Sequence, residues 1–496
     1  MKPITLLYQG VPTGPVLVSL QGIVSTGLVE AVRLVVPPGT GDVPRALGEV
    51  RVHTRTAPLP GSSQVALEML DACATPFLLE VAPGGGLDLV PRALHRQLGV
   101  ARSTDAVLTY GDCTDVLGDG HHPHPLPDWQ EGSVGEDFPF GPLCLWSRTG
   151  LARAMARHGA PPDDLRFHAW YDLRLKASLE SPVVHVPEPL CAVRPVDRRV
   201  TGDAVFDYLT TQQEVQREAE RVFTEHLRRI GAWLSGPFQP FESRATFPVE
   251  ASVVIPVRNR VRTVGDAVRS ALSQVAPFDF NLIVVDNHST DGTTALLEDL
   301  STRDARVVHH APTRKDLGIG GCWNEAIFHP GCGRYAIQLD SDDLYEGTSV
   351  LAEIVALLRE GCGMVVGSYE TVDFSLNPIP PGLIDHAEWS DDNGPNNALR
   401  VNGLGAPRAF CTELVRDNPF PNVSYGEDYA VALRISREWR VGRIYHSLYH
   451  CRRWEGNTDA DLPAEVAARH QVYKDRLRTM EIAARRRGNE GLEGAE

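Results

Sequence analysis

The chain has 496 residues, 42% of them apolar and 23% charged, with a formal net charge of −16. That balance supplies a globular core and excludes a disordered chain, and the acidic surplus excludes a nucleic-acid backbone as the main partner. The nine cysteines are scattered and include no Cys-x-x-Cys pair, which speaks for free thiols in a reducing cytoplasm and against a disulfide framework or a zinc site.

In chain order, Met1-Lys-Pro-Ile-Thr-Leu-Leu-Tyr8 meets Gln9, Gly10 and Pro12 before a signal-like apolar core is complete, and reads as a first strand. No run reaches the roughly 20 apolar residues of a membrane span, so any membrane contact is expected to be peripheral. Residues 1–200 alternate short apolar strands (Val32–Pro38, Pro76–Val81, Ala106–Tyr110) with helical segments, which predicts α/β architecture. Between 204 and 234, Val215, Ala219, Val222, Phe223, Leu227, Ile230 and Leu234 recur at helical spacing, predicting one long helix. It stops at Gly236-Pro237, and residues 201–247 read as a helical linker between two domains.

A second domain, 248–462, opens with the strand Val253–Val257 and a helix bearing Val264, Ala267, Val268, Ala271 and Leu272 on one face. The strand Leu282–Val285 then discharges into Asp286-Asn-His-Ser-Thr-Asp-Gly292, and Tyr335–Leu339 into Asp340-Ser-Asp-Asp343. Ligands bind at the carboxyl ends of strands in an open parallel sheet, so the three strands would deliver their polar residues to one rim. Asp340 and Asp342, one residue apart, suit a shared hard cation that could in turn hold a diphosphate. Residues 463–496 read as a C-terminal helix followed, after about 485, by a disordered tail.

Four segments in register, Val253–Arg260, Val284–Thr293, Leu339–Asp343 and Tyr425–Tyr429, resemble family 2 glycosyltransferases, whose nucleotide-sugar-binding domain is the GT-A fold. The resemblance implies a donor site in which Pro256, Val257, Arg258 and Asn259 hold base and ribose and Asp286 reads the base. Asp340 and Ser341 would meet the ribose. Asp340, Asp342 and His450 would hold manganese or magnesium. It further implies Asp428 as the base that deprotonates an acceptor hydroxyl, with Glu427 as its substitute, and inversion at the anomeric carbon. Asn324 would approach the donor from the glycine-rich turn before it. Arg452 and Arg453 would serve as phosphate clamps. Asn287 departs from the family, where many members carry a second aspartate. The expected partners are a nucleotide-sugar donor, UDP-linked by preference, and a glycan or other hydroxyl acceptor, as in polysaccharide synthesis. The expected setting is the cytoplasm or the inner face of a membrane, as a monomer or homodimer.

A shift of 258 positions carries Phe77–Ala82 onto Tyr335–Asp340 and Leu190–Arg194 onto Leu448–Arg452. A repeat this long predicts two GT-A-like domains in tandem. At that shift Asp340, Asp342, Glu427, Asp428 and His450 correspond to Ala82, Gly84, Ala169, Trp170 and Ala192, so the first copy would be degenerate and non-catalytic. A two-residue slip would instead set Asp172 opposite Asp428. The alternatives are a carbohydrate-binding scaffold without catalysis and a sugar nucleotidyltransferase, although no Gly-rich, basic phosphate loop follows either first strand. Gly318-Ile-Gly-Gly-Cys-Trp-Asn324 does not make a dinucleotide-binding turn, because Trp323 stands at the third glycine position.

Overall fold

The computed structural model describes residues 2–118, 120–194, 213–387, 393–455, 457 and 462–493. Contacts divide the chain into two compact units: 1–204, 211–230 and 461–479 in one, 205–210, 231–460 and 480–496 in the other.

The first unit holds β1 (Ile4–Gln9), β2 (Val29–Val36), β3 (Ala46–Leu47), β4 (Val50–Thr56), β5 (Phe77–Val81), β6 (Leu87–Leu89), β7 (Leu108–Leu117), β8 (Gly120–His124), β9 (Leu143–Ser147) and β10 (Val183–Val193). They lie in the order β3-β4-β2-β1-β5-β9-β7-β10-β6, with β8 paired to β7. Alternate residues face opposite sides of the sheet. Ile4, Leu6 and Tyr8 therefore join one apolar cluster, while Leu7 joins another. A sheet buried on both faces needs near-continuous apolar strands, which is what β1, β2 and β5 contain.

The second unit holds β11 (Ala251–Val257), β12 (Phe280–Asp286), β13 (Val307–His310), β14 (Tyr335–Gln338), β15 (Leu344–Tyr345), β16 (Met364–Val372), β17 (Pro378–Ile384), β18 (Arg408–Cys411) and β19 (Val441–Arg452). Their order is β13-β12-β11-β14-β18-β16-β19-β15, with β17 paired to β16. β12, β11 and β14 run parallel, so Asp286, Val257 and the Asp340 turn emerge at the same end of the sheet. The helix Val264–Leu272 buries Val264, Ala267, Val268 and Ala271 completely, as their spacing predicts.

Read from β4 in one sheet and β13 in the other, eight strands follow the same order with the same directions: three parallel pairings, two antiparallel, one parallel, one antiparallel. The shift of 258 holds from β5 to β14, from the helix Ala169–Ala177 to Glu427–Ser436 and from β10 to β19, whereas β1 and β11 begin 247 residues apart and β7 and β16 begin 256 apart. Phe77 pairs with the first residue of β1 as Tyr335 pairs with the first residue of β11. The helices Ala169–Ala177 and Glu427–Ser436 begin at corresponding residues, which leaves no room for a two-residue slip. Asp172 instead sits buried, 2.6 Å from Lys176 one helical turn on.

Two sequence expectations change. The helix predicted over 204–234 runs from Gln213 to Arg229, its first expected residues lying outside the described ones. It is counted with the first unit rather than standing between domains. Its apolar stripe is covered, with Ala219, Val222, Phe223 and Leu227 buried, and Glu218 accepts from the backbone N–H groups of Arg166, Phe167 and His168. The C-terminal helix extends from Ala464 to Glu493, through the stretch expected to be disordered. Two of its arginines are withdrawn from solvent. Arg478 is paired with Asp475 at 2.7 Å, both side chains 0% exposed, and Arg485 with Glu481 at 2.8 Å. Among the described residues no helix is long and apolar enough to cross a membrane.

Candidate active site

At the carboxyl ends of β11 and β14 the second unit opens into a cleft of about 510 Å³. Pro256, Val257 and Arg258 from the end of β11, Asp340, Ser341 and Asp342 from the turn after β14, and Glu427 and Asp428 from the start of a helix all line it. Three separated parts of the chain thus bring eight of the sequence-nominated residues to one cavity.

The acidic turn is held rigidly. The Asp340 N–H donates to Tyr449 Oη at 2.9 Å, and Gln338 Nε2 donates to both carboxylate oxygens at 3.1 and 3.0 Å. Asp343 accepts from the Arg452 N–H at 2.8 Å. Burial raises the pKa of Asp340, opposed by Gln338 and Arg408 and reinforced by Asp342. Burial and the charges of Asp340 and Asp342 raise that of Asp343 well above the carboxylate range. Asp342 is the more open of the two cleft acids. Its Oδ2 accepts from Trp454 Nε1 at 3.2 Å and Asn457 Nδ2 at 3.4 Å, with Arg260 Nε 3.8 Å away. Hard oxygen donors in an acid-rich pocket fit a magnesium- or manganese-type cation.

Glu427 and Asp428 are the first two residues of the helix Glu427–Ser436, reached through Gly426 at φ 77°. Anionic side chains are favoured at that end of a helix. Asp428 Oδ2 lies 2.8 Å from Arg408 Nη2, and its Oδ1 accepts from the Tyr429 N–H at 2.7 Å. Glu427 is buried, and no hydrogen bond reaches its Oε2. Burial, then the neighbouring Asp428, pushes its pKa up to about 8.

Five nominated residues do not line the cleft. Asp286 is buried at the end of β12, where its carboxylate accepts from the Ser289 N–H at 3.0 Å and Thr294 Oγ1 at 2.5 Å and lies 3.4 Å from His309. Burial pushes its pKa up, but these hydrogen bonds outweigh it and the net shift is downward. Asn259, at φ 54°, ties two loops together, its Oδ1 accepting from the Thr290 N–H at 2.8 Å. Asn324 does not approach a donor: its amide donates to the Phe420 carbonyl at 2.8 Å and accepts from the Phe420 N–H at 3.0 Å. The glycines before it serve close packing, since a Cβ at Gly320 would stand 2.0 Å from the Pro421 carbonyl oxygen.

His450 is the clearest correction. Neighbouring residues of a strand face opposite ways. Cys451 lines the cleft and Tyr449 reaches Asp340, so His450 turns away, its Nδ1 4.0 Å from Glu346. That orientation differs from the one expected of a third ligand beside Asp340 and Asp342. Arg452 is likewise withdrawn. Its Nε donates to the Asp342 carbonyl and its Nη1 lies 3.1 Å from Asp266, so it braces the acidic turn while Arg453 lines the cleft.

Arg408 is the residue that sequence reasoning missed. It enters from β18, antiparallel to β14, and no motif marks it. Its own N–H donates to Gln338 Oε1 at 3.2 Å, which links it to the side chain that holds Asp340. Asn287, which stands where family members often carry aspartate, lines the cleft and donates to the Leu317 carbonyl at 2.9 Å.

The family model described as Glycosyl transferase family 2 matches residues 252–420. The putative teichuronic acid biosynthesis glycosyltransferase TuaG of Bacillus subtilis is 30% identical over 188 residues, 38% of this chain and 72% of that protein. The E. coli glucosyltransferase WfgD, named as acting from UDP-Glc on α-D-GlcNAc-diphosphoundecaprenol, is 25% identical over 39% of this chain and 72% of its own length. An uncharacterized glycosyltransferase of Rickettsia felis is matched over only 31% of its length. Among solved structures, S. aureus TarS 1-349 in complex with UDP aligns at 17% identity over 46% of this chain and 65% of that one, with a TM-score of 0.35. That likeness is too slight to add to the strand pairings above. The match to TuaG at 30% identity over most of its length, together with a family model that falls on the unit carrying the cleft, shows that this chain belongs to glycosyl transferase family 2.

Proposed function

We propose that residues 248–462 act as a metal-dependent, inverting glycosyltransferase, moving a sugar from a nucleoside-diphosphate donor to an acceptor hydroxyl in surface-polysaccharide synthesis. One observation carries the reading. The turn after β14 and the start of the helix Glu427–Ser436 bring two separate sets of carboxylates to one cleft, the first suited to the donor and the second to the acceptor. Pro256, Val257 and Arg258 would flank the base and ribose, as would Ser341. Asp286 and Asn259 would shape that part of the cleft from behind. Asp340 and Asp342 would hold the cation, which when bound offsets charge on the departing diphosphate.

The acceptor oxygen attacks the anomeric carbon from the face opposite the diphosphate. As that C–O bond forms, the bond to the diphosphate oxygen breaks, its electrons leave with the diphosphate, and the hydroxyl proton passes to Asp428. Arg408 fixes the direction of the Asp428 carboxylate. Glu427, with its pKa near 8, stands beside it as the protonated neighbour at neutral pH.

The donor class is supported by WfgD, whose name gives a UDP-sugar donor and a lipid-linked acceptor. A similar acceptor would bring this chain to the cytoplasmic face of a membrane by peripheral contact. We infer that the first unit is a duplicated copy of the second, on the common strand order and on the shift of 258 kept by β5, the helix Ala169–Ala177 and β10. With Ala82, Gly84, Ala169, Trp170 and Ala192 at the five site positions, it would support acceptor binding or homodimer formation and perform no chemistry.

The test mixes the purified chain, manganese and a panel of UDP- and GDP-sugars, and measures released nucleoside diphosphate. Release with a UDP-sugar, abolished by chelation and reduced at least about 100-fold in Asp342→Asn, is expected. Unchanged turnover in Asp342→Asn would remove the metal assignment. Neither release nor manganese-dependent UDP binding by calorimetry would remove the reading altogether.

A further inference from the structure

The hairpin β7–β8 of the first unit carries a second cluster of ligating side chains that the transfer reaction does not use. In its register Cys113 pairs with His124 and Asp115 with His122. Strand alternation puts Cys113 and Asp115 on one face, and the pairing puts His122 and His124 on that same face. The Cys113 Sγ, an Asp115 carboxylate oxygen and a His124 ring nitrogen all lie within 4.8 Å of one another. His124 Nδ1 is already 2.7 Å from Asp115 Oδ2.

The group has a floor and an entrance. Cys113 is 5% exposed and packs with the core, whereas the side chains of His124 and Asp115 keep 38% and 23% of their exposure. Nothing in the fold demands these residues. The corresponding hairpin β16–β17 has Tyr369, Thr371 and Ile384 at the three positions, with no thiol, carboxylate or imidazole. The first unit has therefore lost the acids of one site while carrying a ligand set of another kind.

We propose that Cys113, Asp115 and His124 bind a zinc-type divalent cation, with His122 or water as the fourth ligand. Tetrahedral zinc at its usual bond lengths spaces its ligands roughly 3.3–3.8 Å apart, which small side-chain rotations would reach from the observed positions. Mixed sulfur, nitrogen and oxygen donors select a borderline cation, whereas the all-oxygen pair Asp340 and Asp342 selects a hard one. The two sites should therefore take different metals. The spacing also explains why counting cysteines missed it: the set uses one cysteine, and its two strands are joined by a short turn.

The test uses cobalt(II) as a spectroscopic substitute for zinc, added to the full-length, reduced protein. A thiolate-to-cobalt charge-transfer band, saturating at one equivalent and displaced by zinc, is expected. The band should vanish in Cys113→Ser, and in His124→Ala affinity should fall by at least the roughly tenfold that losing even an outer partner costs. Asp342→Asn should leave it intact, since oxygen ligands give no such band. His124→Ala lies on an exposed hairpin, so it reports even if Cys113→Ser fails to fold. No band in the unaltered protein, or a band that persists unchanged in His124→Ala, would overturn the proposal.

Discussion

Glu427 and Asp428 are chain neighbours with opposite surroundings, and the difference can be tested residue by residue. Asp428 has a cation at 2.8 Å, while Glu427 is buried with one oxygen lacking a hydrogen bond. Asp428→Asn is expected to lower kcat by about 10² to 10⁴ with little change in donor binding, the range for loss of a general base. Glu427→Gln should cost less than about tenfold, and steady-state kinetics on the two variants would reverse the assignment if Glu427→Gln were the worse. Glu427 also predicts a pH dependence of stability. Its folded pKa of about 8 lies above the unfolded value of 4.5, so between them the folded chain holds a proton that the unfolded chain has released. Stability contributed at this position therefore falls as pH rises from about 4.5 to about 8, then levels off. Glu427→Gln removes the titration, and its melting temperature relative to the unaltered protein should climb across that window. A flat or falling difference would contradict the burial argument.

At the level of elements, the site depends on how the helix Ile319–Ile327 is fastened to the loop before Glu427. Asn324 satisfies both backbone groups of Phe420, which is itself 3% exposed. Asn324→Ala should therefore destabilise the chain by about 1–3 kcal/mol, read from chemical denaturation. It should also lower activity by shifting Phe420 and Ser424, which line the cleft. Strands β1, β2, β5, β7, β11, β12 and β14 were legible in advance because apolar runs of the right length end in polar turns, whereas β4 and β13, also paired in parallel, escaped that reading. Arg408, Asn324 and His450 were not legible either. Arg408 depends on an antiparallel neighbour distant in sequence, Asn324 on a loop almost a hundred residues away, and His450 on the parity of β19. A one-residue change in that parity would exchange the roles of His450 and Cys451.

Across the whole molecule, the shift of 258 was readable because β5 and β14, the helices Ala169–Ala177 and Glu427–Ser436, and β10 and β19 keep that spacing, although β1 and β11, and β7 and β16, do not. Membership of the two flanking helices was not readable. An amphipathic stripe announces that something covers it but not which unit does so, and arginines in a C-terminal segment look solvated until buried acids are found beside them. The helix Ala464–Glu493 contributes its first half to one unit and its last part to the other. Removing it by ending the chain at residue 463 should therefore weaken both. Ser133 would lose Asp475, and Arg437 would lose Glu481. Calorimetry should show every melting transition lowered by more than about 5 °C. A truncated chain that melts like the full one would refute this.

That helix also sets an order of events during synthesis. Gly132 lies so close to it that a Cβ there would stand 2.0 Å from the Asp475 carbonyl oxygen, and the Gly132 N–H donates to Thr479 at 2.9 Å. Domains generally fold as units, amino-terminal first, as they leave the ribosome. Here the earlier unit takes in a helix from far along the chain, so its packing around Gly132 is completed only after that helix has been made.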